Sequence, residues 1–346
     1  MNLVEIGSQV SSICMTFFMI ASGPYEEGTV LPIISSLISC FDLNIDVPSS
    51  SLIAENSAQL IAEIAKTDEG RSMLSDTEVL QFILKIFIMA VNSAKTGIDP
   101  IKVQCLRAIA NLCFNSDINR DLVAESPDAI HCLAVTLKST NDVVVYNTLG
   151  CLLNASMDSG NFCFIQDSVQ LALLREGTLE SIIMILQNGD HCNCSKGTSN
   201  DAKYGMAIRT INNLIEPEAG LNAFVETGAI DILFVVLKQW HKDILKADES
   251  PESFYMVEGL VLLLETISEM DTIQKILFCS DKFFTLSNII NNAPSFVMKE
   301  GDDQDTNFGS IRKIITNIVT NVTMCGNAYI NIRFIDDAIG RKRECD

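Results

Sequence analysis

Residues Leu106–Ser139 read LRAIANLCFNSDINRDLVAESPDAIHCLAVTLKS, two apolar helical stretches on either side of a short polar one. In the first stretch Val103, Leu106, Ile109, Ala110 and Cys113 recur at steps of three or four, which lays one apolar stripe along a helix. Asn111 sits inside the same stretch. An asparagine amide competes for backbone hydrogen bonds, so an asparagine inside a helix asks for a reason.

The same pattern recurs along the chain. AQLIAEIAKTDEGRSML places Glu63 at the position of Asn111, TLGCLLNASMDSGNFCF places Asn154 there, and AIRTINNLIEPEAGLNAF places Asn213. Two poorer copies, LVLLLETISEMDTIQKIL and IITNIVTNVTMCGNAYIN, bring Glu265 and Asn321 to it. Successive copies are 48, 43, 59, 52 and 56 residues apart. A period of about 40–47 residues is that of armadillo and HEAT repeats, and the excess matches polar inserts such as QNGDHCNCSKGTSNDA and VMKEGDDQDTN. Each copy is followed by a short polar helix and then an apolar one, and Gly177 and Gly228 stand where a sharp turn must join those two. LSDTEVLQFILKIFIMAV opens on a Ser/Asp cap signal and is apolar nearly all round, as a helix buried between neighbours should be.

The expected fold class is therefore all-α, an armadillo/HEAT-type right-handed superhelical solenoid of about six to seven three-helix repeats. It forms one domain over 1–340. Its repeats fall near 1–45, 46–92, 93–139, 140–188, 203–246 and 250–293, with an incomplete one at 306–340, and its insert loops at 189–202 and 296–306. Both ends are expected to be incomplete, because solenoids need polar capping repeats and FIDDAIGRKRECD stops where the next apolar helix should begin.

With 24 basic and 44 acidic residues, the formal charge is −20, which disfavours nucleic acid and anionic lipid and draws in basic proteins or tails. The acids concentrate late: 201–310 holds 18 acids and 8 bases. Glu216, Glu218, Glu258, Glu269, Asp302 and Asp303 make up the candidate acidic patch, to be weighed against a merely solvated face. The opening residues carry Glu5 and no Lys or Arg, so they do not read as a signal peptide, and their apolar run is too short to cross a bilayer. Cys105, Cys113, Cys132 and Cys151 stand alone in apolar helices, which suits buried reduced thiols. A soluble monomer in the cytosol is expected, with peripheral endomembrane association open and no membrane insertion.

No catalytic constellation emerges, and no cofactor is expected. His131, His191 and His241 are far apart in sequence, and His131 on its apolar helix reads as a packed or capping residue. HCNC (His191, Cys192, Cys194) lacks a second cysteine pair and so the usual zinc spacing; a loop is the better reading, with no metal. No Gly-rich phosphate loop is present.

The candidate partner-binding residues lie on the repeated helix: Asn111, Asn154 and Asn213, with Glu63 and Glu265 in equivalent places. The asparagines admit two readings. They bond carbonyls of adjacent turns and fix repeat stacking, or they bond the main chain of an extended partner. Arg107 and Arg209, one turn earlier, could grip a partner carboxylate. Importin-α-type receptors share this plan but carry Trp four residues before the asparagine; here those positions are Gln59, Arg107, Gly150, Arg209, Val261 and Asn317, and the single tryptophan, Trp240, lies on another helix.

The repeats instead resemble the small-GTPase GDP dissociation stimulator (smg GDS) family, through LIAEIAK at 60–66, RAIANLC at 107–113 and GCLLN at 150–154, in that order, and the later SEMDTIQKIL. The resemblance covers residues 50–290. It implies a non-enzymatic regulator of Rho/Ras-type small GTPases that takes their basic C-terminal tails, prenylated or not, in an acidic concave groove and either promotes GDP release, guanine-nucleotide-exchange-factor-like, or chaperones them. A buried prenyl chain, at about 0.8 kcal/mol per CH₂, could supply on the order of 10 kcal/mol, and the 17 Phe and 12 Met could line its slot or simply pack the core. The alternative is an adaptor that binds extended peptides without nucleotide exchange.

Overall fold

The computed structural model describes residues 47–75, 77–157, 168–188, 199–244 and 251–270, with further positions at 34–35, 38, 273–274, 277, 282, 284–286, 314 and 316–320. Most of the expected first repeat, the HCNC segment, Asp302, Asp303 and Asn321 lie outside them. Among the described residues every regular element is an α-helix, and the helices come in long–short–long triplets: α1 (Pro48–Ile64), α2 (Asp68–Met73) and α3 (Thr77–Asn92); α4 (Asp99–Cys113), α5 (Asp117–Ala124) and α6 (Pro127–Thr136). Then follow α7 (Asp142–Ala155), α8 (Val169–Arg175) and α9 (Thr178–Gln187); α10 (Ser199–Leu214), α11 (Glu218–Glu226) and α12 (Ala229–Ile244); and the long α13 (Pro251–Ser268). This is the all-α armadillo-repeat architecture that the period predicts.

Local chemistry sets the triplets. Thr67, Ser116 and Ser168 each accept a hydrogen bond from a backbone N–H in the first turn of the short helix that follows, at 3.0, 3.4 and 3.4 Å. Proline occupies the first turn of α1, α4 and α6, where its missing N–H costs nothing. Gly177 (φ +71) and Gly228 (φ +68) take the left-handed conformation between short and following long helix, as the sequence predicts. Helix α3 buries almost its whole circumference and leaves Glu78, Gln81 and Lys85 as its one exposed polar stripe.

The chain divides into two compact units, residues 1–184 with 213–222, and residues 185–212 with 223–346. In the first, the long helices α1, α4 and α7 that carry the Asn111-type position pack successively on one another, and α3 packs behind α4 and against α6. Ile61, Phe87, Cys105, Ile109, Leu112 and Leu152 form part of its core, each at most 1% exposed. A fully buried Leu, Ile or Phe side chain is worth about 1.5–3 kcal/mol, far more than short-helix propensity supplies. In the second unit α12 packs on α13, burying Leu233, Leu237, Leu260 and Leu264 completely.

Two glycines are required by close approach. A Cβ on Gly70 would lie 1.8 Å from the Ile64 carbonyl oxygen, and one on Gly220 would lie 1.8 Å from that of Leu214. Both stand seven residues after the repeated position, where the short helix folds back under the end of the long one. The four expected core thiols, Cys105, Cys113, Cys132 and Cys151, are buried and free. Burial pushes the Cys113 thiol up to about 12 and that of Cys132 up to about 11.

Two expectations are corrected. The insert expected at 189–202 ends sooner, since α10 begins at Ser199. His131 is not packed into the core: its side chain is 61% exposed, and its Nδ1 lies 2.8 Å from Glu176 Oε2 of the next repeat. The helical stripe of α6 places it beside, not within, the row Ala129, Ile130, Leu133 and Leu137 that is buried.

Candidate partner-binding face

Ladder residues sit in the last turn of their helices. Glu63, Asn154 and Asn213 are each penultimate in α1, α7 and α10, and Asn111 is the third residue from the end of α4. The last turn of a helix leaves carbonyls without intrahelical partners, and the asparagines answer that need across repeats. Asn111 Nδ2 donates to the carbonyl of Ala62 at 2.8 Å, Asn154 Nδ2 to that of Ala110 at 2.9 Å, and Asn213 Nδ2 to that of Leu153 at 3.1 Å. Each acceptor is the residue just before the equivalent position in the preceding repeat. Asn213 Nδ2 also lies 3.1 Å from Ser156 Oγ.

For α4 all four terminal carbonyls are accounted for. Ala110 accepts from Asn154, Asn111 from the N–H of Phe114, Leu112 from Asn119 Nδ2 (2.7 Å), and Cys113 from the N–H of Ser116 and from Arg120 Nη1 (3.0 Å). Side chains that follow the long helices supply such capping elsewhere as well. Arg71 donates to the carbonyls of Ala65 and Lys66, Gln170 to that of Ser156 and Gln274 to that of Ser268. Arg71 also stacks 5.0 Å from the centroid of the Phe114 ring, tying α2 to the end of α4. The sequence reading missed Arg71, Asn119, Arg120, Gln170 and Gln274. A long polar side chain eight or nine residues after the ladder position marks Arg71, Asn119, Arg120 and Gln274; the longer connection after α7 displaces Gln170 from that register.

The two arginines are engaged within the chain. Arg107 Nη2 lies 2.5 Å from Glu63 Oε1, one repeat back, and its Nη1 donates to Gln104 at 2.7 Å. Arg209 Nη2 lies 2.7 Å from Glu258 Oε2, and the absence of a side chain on Gly259 lets the Arg209 stem pack there, where a Cβ would come within 3.2 Å of its Cγ. The expectation that they grip a partner's carboxylate is thereby corrected: helix-to-helix spacing puts a chain carboxylate within reach of each. Lys66 also bonds Glu63. Burial opposes ionisation of Glu63, but the hydrogen bonds from Lys66 and Arg107 outweigh it and hold its carboxyl below the ordinary carboxylate range.

Several of the acidic residues have partners within the chain. Glu258 is the half-buried partner of Arg209, and Glu216 accepts from Gln170 Nε2 at 3.1 Å. Glu265 accepts from Asn317 Nδ2 at 2.8 Å. Glu218 and Glu269 are exposed, Glu218 in the first turn of α11. Asp117 and Asp121 lie one turn apart along α5, with Glu125 at its C-cap; burial first, then the charges of these two neighbours, raises the carboxyl of Asp121. Among the described residues no group of three or more His, Cys, Asp or Glu could hold a metal ion, and no single helix is long and apolar enough to cross a membrane.

No sequence-family profile and no curated protein matches the chain. Solved structures do. A computationally designed armadillo repeat protein for modular peptide recognition superposes with a TM-score of 0.57 at 15% identity, over 84% of this chain and 99% of that one. A designed armadillo repeat protein in complex with the peptide (KR)4 gives a TM-score of 0.57 at 14% identity, over 84% and 99%. Uso1-1 gives a TM-score of 0.66 at 12% identity, over 93% of this chain and 50% of that one. At these identities the likeness is one of fold.

Proposed function

We propose that the chain is a non-enzymatic adaptor that holds an extended segment of a protein partner along its ladder helices. The carrying observation is the amide ladder. Asn111 and Asn154 each commit one N–H to the preceding repeat and keep the other N–H and the carboxamide oxygen at a half-exposed surface. A side chain pinned at one end and free at the other is preorganised to bond a partner's main chain, so little rotamer entropy is lost on binding. Both readings of the asparagines thus apply to different atoms of the same group. The peptide recognised by designed proteins of this fold supports the reading. Hydrogen–deuterium exchange in the presence of a peptide selected from a displayed library tests it: protection is expected over 99–111 and 142–154, and protection confined to the short helices would refute it.

A second reading makes that partner a Rho/Ras-type small GTPase whose GDP release the chain promotes, by binding the nucleotide-free state better than the GDP state. The ordered motifs favour it, since RAIANLC and GCLLN fall on the ladder helices α4 and α7, and LIAEIAK runs over the end of α1. Its test is labelled-GDP release from a GTPase with its basic tail intact or neutralised: accelerated release that depends on the tail is expected, and binding without release leaves the adaptor. A cytosolic location accompanies either reading.

A further inference from the structure

From each ladder position the helix face continues backwards at steps of four, three and four: Asn111, Arg107, Gln104, Pro100 on α4; Asn154, Gly150, Asn147, Val143 on α7; Glu63, Gln59, Asn56, Leu52 on α1. The asparagine-to-carbonyl bonds join equivalent positions of neighbouring helices, so these residues line up as rows across the first unit. The outermost row, about 16 Å along the helices from the asparagines, is apolar: Leu52 is 47% exposed, Val143 is 56% exposed and Pro100 is exposed. Tyr146, a turn further along α7, is 39% exposed beside it. Next comes a row of three amides, Asn56, Gln104 and Asn147. The charges in these twelve positions are Glu63 and Arg107, and they pair with each other. Of the unit's other acids, Glu55 and Asp142 stand nearest to these rows, beside Leu52 and Val143, while Asp68, Glu69 and Asp117 lie on the short helices.

We infer that this face of the first unit takes an uncharged, apolar-rich extended segment of a protein partner, whose apolar side chains rest on Leu52, Val143 and Tyr146 while its main chain faces the amide rows. The inference rests on the adaptor reading and narrows the partner's chemistry. Beyond Glu55, Asp142 and the self-paired Glu63 and Arg107, the rows offer a Lys/Arg tail little countercharge to offset its desolvation, whereas exposed apolar side chains in register supply the anchors that carry binding energy.

The test pans a phage-displayed library of random dodecapeptides against the whole chain, then measures the selected peptides by fluorescence anisotropy against Val143→Asp and Leu52→Asp. Both sites are exposed, and a circular-dichroism melt verifies that each variant folds. Expected are apolar, uncharged selected sequences, affinity that is flat with salt, and a loss of at least about tenfold in each variant. Lys/Arg-rich sequences whose binding fades with salt and ignores both variants would overturn this inference and leave the adaptor reading standing. No enrichment over an unrelated control protein would overturn both. Concentration-dependent self-association that Val143→Asp abolishes would assign the face to a second copy of the chain, and so also overturn the inference.

Discussion

Asn111→Ala removes the one hydrogen bond that the structure gives to the carbonyl of Ala62. The neighbouring last-turn carbonyls of α1 keep theirs, since Ile61 accepts from the N–H of Ala65, Glu63 from that of Lys66 and Ile64 from that of Thr67. Ala62 is completely buried, so water cannot replace the amide without a rearrangement. Leaving a buried carbonyl unpaired costs about 1–3 kcal/mol, and alanine's better helix propensity returns up to about 0.7 kcal/mol. The expected net loss is about 1–2 kcal/mol. Asn111→Asp is the sharper variant, because it is nearly isosteric but turns an acceptor and a negative charge toward the Ala62 carbonyl, beside Glu63. It should cost more than alanine does. Repeat proteins need not unfold in one step, so the readout is native-state hydrogen exchange of the amides in α1 and α4, with urea melts alongside. Loss of protection is expected at the end of α1 first. Unchanged exchange in the alanine variant, or an aspartate variant no worse than alanine, would refute the capping role of the ladder.

Gly70→Ala should destabilise the first unit by more than about 2 kcal/mol, because its Cβ would lie 1.8 Å from a backbone oxygen that cannot move alone; differential scanning calorimetry reads the drop, and a melt equal to the parent's refutes the close approach. Glu63 has its carboxyl held below the ordinary 4.5, so its charge stabilises the fold above that pH and the contribution disappears as pH falls through the lower folded value. Glu63→Gln should therefore lower stability at pH 7 yet flatten the acid limb below about pH 4.5. Its size is modest, since Arg107 and Glu63 are both partly exposed, and an acid limb unchanged by the substitution would refute the assignment.

What the sequence by itself determined is the class of the molecule. The recurrence of an Asn/Glu position at intervals near 50 residues, and an apolar stripe stepping by three and four, required helices that bury their faces against copies of themselves. Gly177 and Gly228 were legible because a left-handed turn leaves few residue choices. Which atoms meet was decided only by tertiary structure. Arg107 and Arg209 looked free for a partner, yet each lies against a carboxylate 44 or 49 residues away. Arg120 and Gln170 drew no notice in the sequence, yet they cap helices that the chain order places before their own. The physical reason is range. Periodicity and turn chemistry act within a few residues, and so they are written locally. The side of an amide that is used, and the row in which Leu52, Pro100 and Val143 align, depend on the register between helices almost fifty residues apart, which packing alone sets.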